Sequence, residues 1–118
     1  MGARLSDSAA YAHLWGTDEA RAIFDDDARL ATWLHIIVSL ARAQAALGII
    51  PTASAEAIAR HARVDRLDMD LVARETRRTS HSTLGLIRAL QAVLPGEAAE
   101  HVYYGVTCLL YTSPSPRD

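Results

Sequence analysis

Apolar residues recur at helical spacing along most of the chain, and most clearly over 27–47. There Leu30, Trp33, Leu34, Ile37, Leu40, Ala41, Gln44, Ala45 and Leu47 fall on a helical repeat. Ile36 and Val38 make the segment apolar almost all the way round between Trp33 and Leu40, so such a helix has to be covered on most sides. A short chain holds few elements to do this. Part of that surface is therefore expected to meet sequence or subunits outside the chain. Asp25, Asp26 and Asp27 precede the repeat, where carboxylates complement the start of a helix. No second acidic or histidine cluster nearby completes a coordination shell, so no metal site is read there. Gly48 stops the helix, and Ile49-Ile50-Pro51 leads out of it.

The same patterning places further helices on both sides. Thr17 caps a short helix over 18–24, with Asp18 and Glu19 in its first turn. Ahead of it, 5–16 reads as an irregular arm anchored by packing of Tyr11, Leu14 and Trp15. A helix over 53–62 is expected to be capped by Thr52 or Ser54, and 64–67 forms a connection. Asp68 starts a helix through Arg78, with Met69, Leu71, Val72 and Thr76 on its more apolar side. Leu84, Ile87, Leu90, Ala92 and Leu94 mark a mostly apolar helix over 84–94, with Arg88 and Gln91 on its polar flank and Ser80, Ser82 or Thr83 as its cap. Pro95-Gly96 ends it, and 97–100 adds one further turn. The sum is an all-α fold.

Composition agrees. The 118 residues amount to one domain, half of them apolar, with alanine and leucine dominant. A net charge of −2 suggests neither a nucleic-acid nor a membrane partner. All twelve basic residues are arginine, which removes lysine Schiff-base chemistry from this segment. Cys108, the sole cysteine, leaves no internal disulfide and no thiolate zinc cluster. The start lacks an apolar leader, and the run from Trp33 to Leu40 is interrupted by His35, read as structural, and by Ser39. It is too short to span a bilayer. A cytoplasmic location is the default expectation.

Small polar groups concentrate in two places. Thr79-Ser80-His81-Ser82-Thr83 sets an imidazole beside a helix N-terminus, where free N–H groups and the positive dipole end favour an anion. A neutral imidazole there holds or protonates an anionic ligand; alone, the turn reads better as an ordinary cap with a surface histidine. Arg74, Arg77 and Arg78 sit before it. Their first reading is cations at a helix C-terminus, then help in holding an anionic substrate, and last a nucleic-acid contact, which Asp65, Asp68, Asp70 and Glu75 oppose. Downstream lies His101-Val102-Tyr103-Tyr104-Gly105-Val106-Thr107. Gly105 admits backbone conformations closed to other residues or a close ligand approach, and Tyr103 and Tyr104 read as packing residues.

Joined to Trp15-Gly16-Thr17, Ala22-Ile23-Phe24, Ala28-Arg29-Leu30, Trp33-Leu34, Ala41-Arg42-Ala43-Gln44 and Leu47-Gly48-Ile49-Ile50-Pro51, the two clusters resemble segments of the fumarase/aspartase superfamily of lyases. The nearest likeness is to adenylosuccinate lyases and 3-carboxy-cis,cis-muconate cycloisomerases, over about residues 7 to 107. The resemblance implies an N-terminal helical lyase domain over 1–107, truncated before the central long-helix bundle. It implies a base that takes a proton from carbon beside a carboxylate, after which a C–N or C–O bond breaks, commonly releasing fumarate; the cycloisomerases run related chemistry as ring closure. It implies a small anionic, carboxylate-bearing substrate, no cofactor and no metal, and a homotetramer at full length whose active sites draw on several subunits. This segment alone would then be inactive.

By position in the resemblance, His81 is the catalytic, substrate-binding histidine that supports acid catalysis. Ser80, Ser82, His101, Tyr104, Gly105 and Thr107 contact substrate. Ser82 stands where adenylosuccinate lyases usually carry Asp, which keeps the cycloisomerase alternative beside them. Residues 108–118 leave the family pattern that follows Gly-x-Thr and contain two prolines, and are expected to be a non-native or disordered tail. Without the resemblance, the chain reads as a helical interaction module that offers the apolar face of 30–47 to a partner helix. The two readings differ in geometry: a lyase site needs the His81 turn and the 104–107 loop to approach one another.

Overall fold

The helix expected over 27–47 runs from Asp26 to Ala46 (α2) in the computed structural model, which describes residues 4–106. Leu30, Leu34, Ile37, Ala41 and Gln44 are its buried residues. Steps of four, three, four and three keep them in one stripe. Asp25 is extended, and its carboxylate accepts the Ala28 N–H at 2.7 Å, so the acidic run begins with a cap as expected. At the other end Gly48 takes φ +73°, the Ile49 N–H returns to the Gln44 carbonyl at 2.8 Å and the Gly48 N–H to Ala45 at 3.0 Å. This left-handed closure satisfies carbonyls that the helix end would leave unpaired.

The remaining helices are α1 (Asp18–Phe24), α3 (Thr52–His61), α4 (Met69–Thr79), α5 (Leu84–Val93) and α6 (Ala98–His101), with 3-10 turns at Leu5–Asp7, Ala12–Leu14 and Val64–Arg66. Among the described residues there is no strand, and the fold is all-α. None of these helices is long and apolar enough to cross a membrane. Thr107 and the tail over 108–118 lie outside the described residues.

Packing runs as a chain of neighbours: α2 against α3, α3 against α6, α6 against α5 and α5 against α4, with α1 on α2. α5 is the most enclosed, burying Gly85, Leu86, Ile87, Ala89 and Leu90. Leu86 and Leu90, with Ile58 of α3, are the largest fully buried side chains. α4 buries no residue completely and is the outermost layer over α5. The two approach closely because Gly85 has no side chain: a Cβ there would meet the Val72 carbonyl oxygen and Thr76 Oγ1.

Three sequence expectations need correction. Neither Thr52 nor Ser54 caps α3: Pro51 is the N-cap, without a side-chain bond, and Ser54 is buried inside the helix. The arm is not anchored by packing of Tyr11, Leu14 and Trp15, which are all more than half exposed. Two 3-10 turns give it no continuous apolar face, and its tie to α1 is polar, from Arg21 Nη1 to the Ala12 carbonyl at 3.0 Å. His35 points outward and is no core residue. Beside it Ile36 is 57% exposed, so the bare outer face expected for α2 is present.

Candidate functional site

The first cluster is a tight exchange of hydrogen bonds between the end of α4 and the start of α5. Ser80 closes α4 in the left-handed region at φ 53°, its N–H bonded to the Thr76 carbonyl at 2.8 Å. Thr79 Oγ1 donates back to the Glu75 carbonyl at 2.7 Å and accepts the His81 N–H at 3.3 Å. Thr83 stands at the N-cap of α5 without a side-chain bond, and the side chain that covers the helix start is that of His81 rather than a hydroxyl of Ser80, Ser82 or Thr83: its Nδ1 accepts the Thr83 N–H at 3.2 Å and the Leu84 N–H at 3.1 Å. The reason is directional, because the left-handed Ser80 turns the chain so that the next side chain lies over the free N–H groups of α5.

That geometry fixes the chemistry of the ring. A nitrogen that accepts two N–H groups carries no proton, so the proton of the neutral imidazole sits on Nε2. His81 is exposed and thereby offers an N–H donor outward.

Behind the turn, Glu75 joins the two helices. Its carboxylate bonds Arg78 at 2.7 Å and lies 3.6 Å from Arg88 Nε of α5. The hydrogen bond from Arg78, assisted by the charges of Arg78, Arg88 and Arg74, holds the Glu75 carboxyl below its ordinary range against the opposing effect of desolvation. Arg78 is thus engaged within α4. Arg77 instead lines a cavity of about 420 Å³ between α2 and α4, together with Arg29, Trp33, Thr76 and Ser82.

The second cluster is held by polar bonds to three helices. His101 Nδ1 pairs with Ser54 Oγ of α3 at 2.9 Å, Gln91 of α5 donates to the Ala99 carbonyl at 3.1 Å, and Gln44 of α2 donates to the Tyr104 carbonyl at 2.8 Å. Tyr103 and Gly105 both take positive φ, 58° and 73°. Tyr104 is half exposed and meets the His101 ring edge-on at a centroid distance of 6.4 Å.

A smaller cavity of about 180 Å³ is lined by Thr83 and Tyr103 over a floor of Trp33, Ile36 and Ile37. Trp33 lines both this cavity and the one bearing Ser82. Of the predicted residues, Ser82 lines the larger of these two cavities, Ser80 and His81 precede it in the exposed turn, and Tyr104 and Gly105 are exposed in the loop after Tyr103. His101 is turned to Ser54 beneath the loop. Sequence reasoning named no role for Gln44, Glu75 or Gly85. The signal for Gln44 was an amide in register with an apolar stripe, and for Gly85 a glycine inside an apolar helix.

No protein-family model matches the chain. It is 36% identical over 107 residues to the N-acetyl-S-(2-succino)cysteine lyase of Dickeya dadantii, covering 91% of this chain and 23% of that protein. It is 34% identical over 93 residues to the adenylosuccinate lyase of Methanocaldococcus jannaschii, covering 79% of this chain and 20% of that protein. Among solved structures, the beta-carboxy-cis,cis-muconate cycloisomerase of Acinetobacter calcoaceticus matches with a TM-score of 0.74 at 31% identity, over 81% of this chain and 23% of that one. The chain spans less than a quarter of the length of these relatives. Relatives named for different reactions are similar to this segment, and the chain belongs to the fumarase/aspartase superfamily as a part of its N-terminal helical region.

Proposed function

We propose that this segment supplies one carboxylate-binding rim of a lyase that eliminates fumarate from a succinyl-bearing substrate, of which adenylosuccinate is the type. The observation that carries the reading is the pair of hydrogen bonds into His81 Nδ1, which leaves Nε2–H as an outward donor next to Ser82, which lines a cavity with Arg29 and Arg77. Preorganised donors of this kind stabilise charge that develops on a carboxylate as the adjacent carbon loses its proton.

In the elimination, a base removes the proton from the carbon beside one carboxylate. The C–H pair becomes the new double bond, and the bond to the leaving nitrogen breaks with its electrons. Nε2–H of His81 bonds a substrate oxygen or the departing group, Ser82 and Ser80 add hydroxyl donors, and the Tyr104–Gly105 bend closes the other side. The base and the second catalytic histidine are assigned to sequence beyond this segment. The longer enzyme is proposed as a cytoplasmic homotetramer, its subunits covering the bare face of α2 around Ile36 and leaving the segment alone inactive.

A cycloisomerase acting on a carboxymuconate is the second reading, favoured by the structural likeness and by Ser82 in place of Asp. The native reading frame that continues this segment, expressed and purified, decides between them. Fumarate released from adenylosuccinate or N-acetyl-S-(2-succino)cysteine supports the first, and carboxymuconate turnover the second. Loss of activity in His81→Ala is expected in either case. An intact protein that turns over none of these substrates overturns the reading.

A further inference from the structure

Gln44 is the polar member of an otherwise apolar stripe on α2, and only 7% of its surface is exposed. Its Nε2 donates to the Tyr104 carbonyl at 2.8 Å, while its buried Oε1 has no partner among the described residues. The orientation follows from the contact, since the flipped amide would set two acceptors against each other. Burying an acceptor without a partner is unfavourable, and leucine or methionine would fill the register without it. The amide is therefore not explained by helix packing. What it does is hold one particular carbonyl.

That carbonyl belongs to the peptide at the centre of a four-residue turn. The Val106 N–H faces the Tyr103 carbonyl at 3.5 Å, and Gly105, third in the turn, has φ +73°. Turns of types I and II differ by a flip of their central peptide, and the second type requires this positive φ at its third residue. A trans peptide sends its C=O and N–H in opposite directions. With the Tyr104 carbonyl drawn down to Gln44, the Gly105 N–H faces away from α2. Gly105 is exposed and, among the described residues, this N–H has no partner.

We propose that Gln44 is a positioning residue: it locks the Tyr104–Gly105 peptide so that the Gly105 N–H stands outward as a donor for a ligand carboxylate. The ligand class rests on the lyase reading above; the locking of the peptide does not. An N–H aimed in advance needs no reordering when the anion arrives, whereas a peptide free to flip would present a carbonyl to it half the time or more.

The test uses the isotope-labelled chain with Gln44→Met, and Gln44→Leu as a second apolar replacement, in two measurements. Hydrogen exchange without ligand reads the lock: the Val106 amide is expected to exchange at least tenfold faster in either variant, with α2 and α3 amides unchanged. An unchanged Val106 rate in a folded variant overturns the proposal. Titration with fumarate reads the donor: the Gly105 amide is expected to shift in the native chain, with at least tenfold weaker response in the variants. A Gly105 shift equal in both, or absent while the amides of 80–82 respond, overturns the donor role and leaves the lyase reading standing. Fumarate that moves neither group of amides overturns the carboxylate-binding rim proposed for this segment, and the exchange result then decides the lock alone.

Discussion

Gly85 lies so close to Val72 that a methyl group built on it would fall 2.5 Å from the Val72 carbonyl oxygen, and 2.7 Å from Thr76 Oγ1. Two effects oppose each other at Gly85→Ala. Alanine favours the helix by about 1 kcal/mol, but the obstacle is backbone of the facing helix, and forced insertion into a packed contact costs about 1–3 kcal/mol. The substitution is expected to lower stability by up to about 2 kcal/mol on balance. Urea unfolding of the two proteins measures it, and a more stable Ala variant would mean that α4 and α5 do not cross at this point.

Replacing His81 separates its two roles. His81→Ala removes the acceptor for the Thr83 and Leu84 N–H groups and is expected to cost about 1 kcal/mol, the usual penalty for a lost cap. His81→Asn keeps a side-chain oxygen suited to such a turn and is expected to recover most of that stability, without an outward Nε2–H. Chemical denaturation reads the first effect. Exchange of the Thr83 and Leu84 amides shows whether Asn takes over the cap.

Glu75 makes stability fall on the acid side. Its folded pKa is depressed, chiefly by the hydrogen bond from Arg78. The group therefore stabilises the fold above its unfolded pKa, and the contribution is lost as pH falls through the folded value. Thermal midpoints measured from about pH 6 down to about pH 3 are expected to drop less steeply in Glu75→Gln than in the native chain. Parallel curves would show that the link between Arg78, Glu75 and Arg88 is inert.

The exposed apolar residues are expected to be dispensable for folding of this segment. Trp15→Ser and Ile36→Ser should each change stability by less than about 0.5 kcal/mol, whereas Leu86→Ala, at a fully buried site, should cost about 2–5 kcal/mol. A large loss at Ile36 would show that the outer face of α2 is covered within this chain.

The helices were legible because their signals are local. Stripe spacing, Asp25, Gly48, Asp68 and Pro95 mark ends and faces within one or two turns of sequence. Legibility failed where a contact is long-range or directional. Ser54 looks like a cap by type, yet it is buried facing His101, and Pro51 takes the boundary. Tyr11 and Trp15 look like anchors by size, yet both are more than half exposed. The His81 turn was recognised as a helix start bearing an imidazole, but which side chain would cap depended on the left-handed φ of Ser80, which serine does not announce. The loop residues Tyr104 and Gly105 were found through likeness to a family. The bond that sets them comes from Gln44, 60 residues away from Tyr104 in sequence.

The three polar ties of residues 98–106 to α3, α5 and α2 have an evolutionary corollary. A loop seated by volume filling shifts whenever the hydrophobic residues beneath it are exchanged; one suspended from Ser54, Gln91 and Gln44 does not. Lineages can then drift in the apolar interior without disturbing the bend at Tyr104 and Gly105.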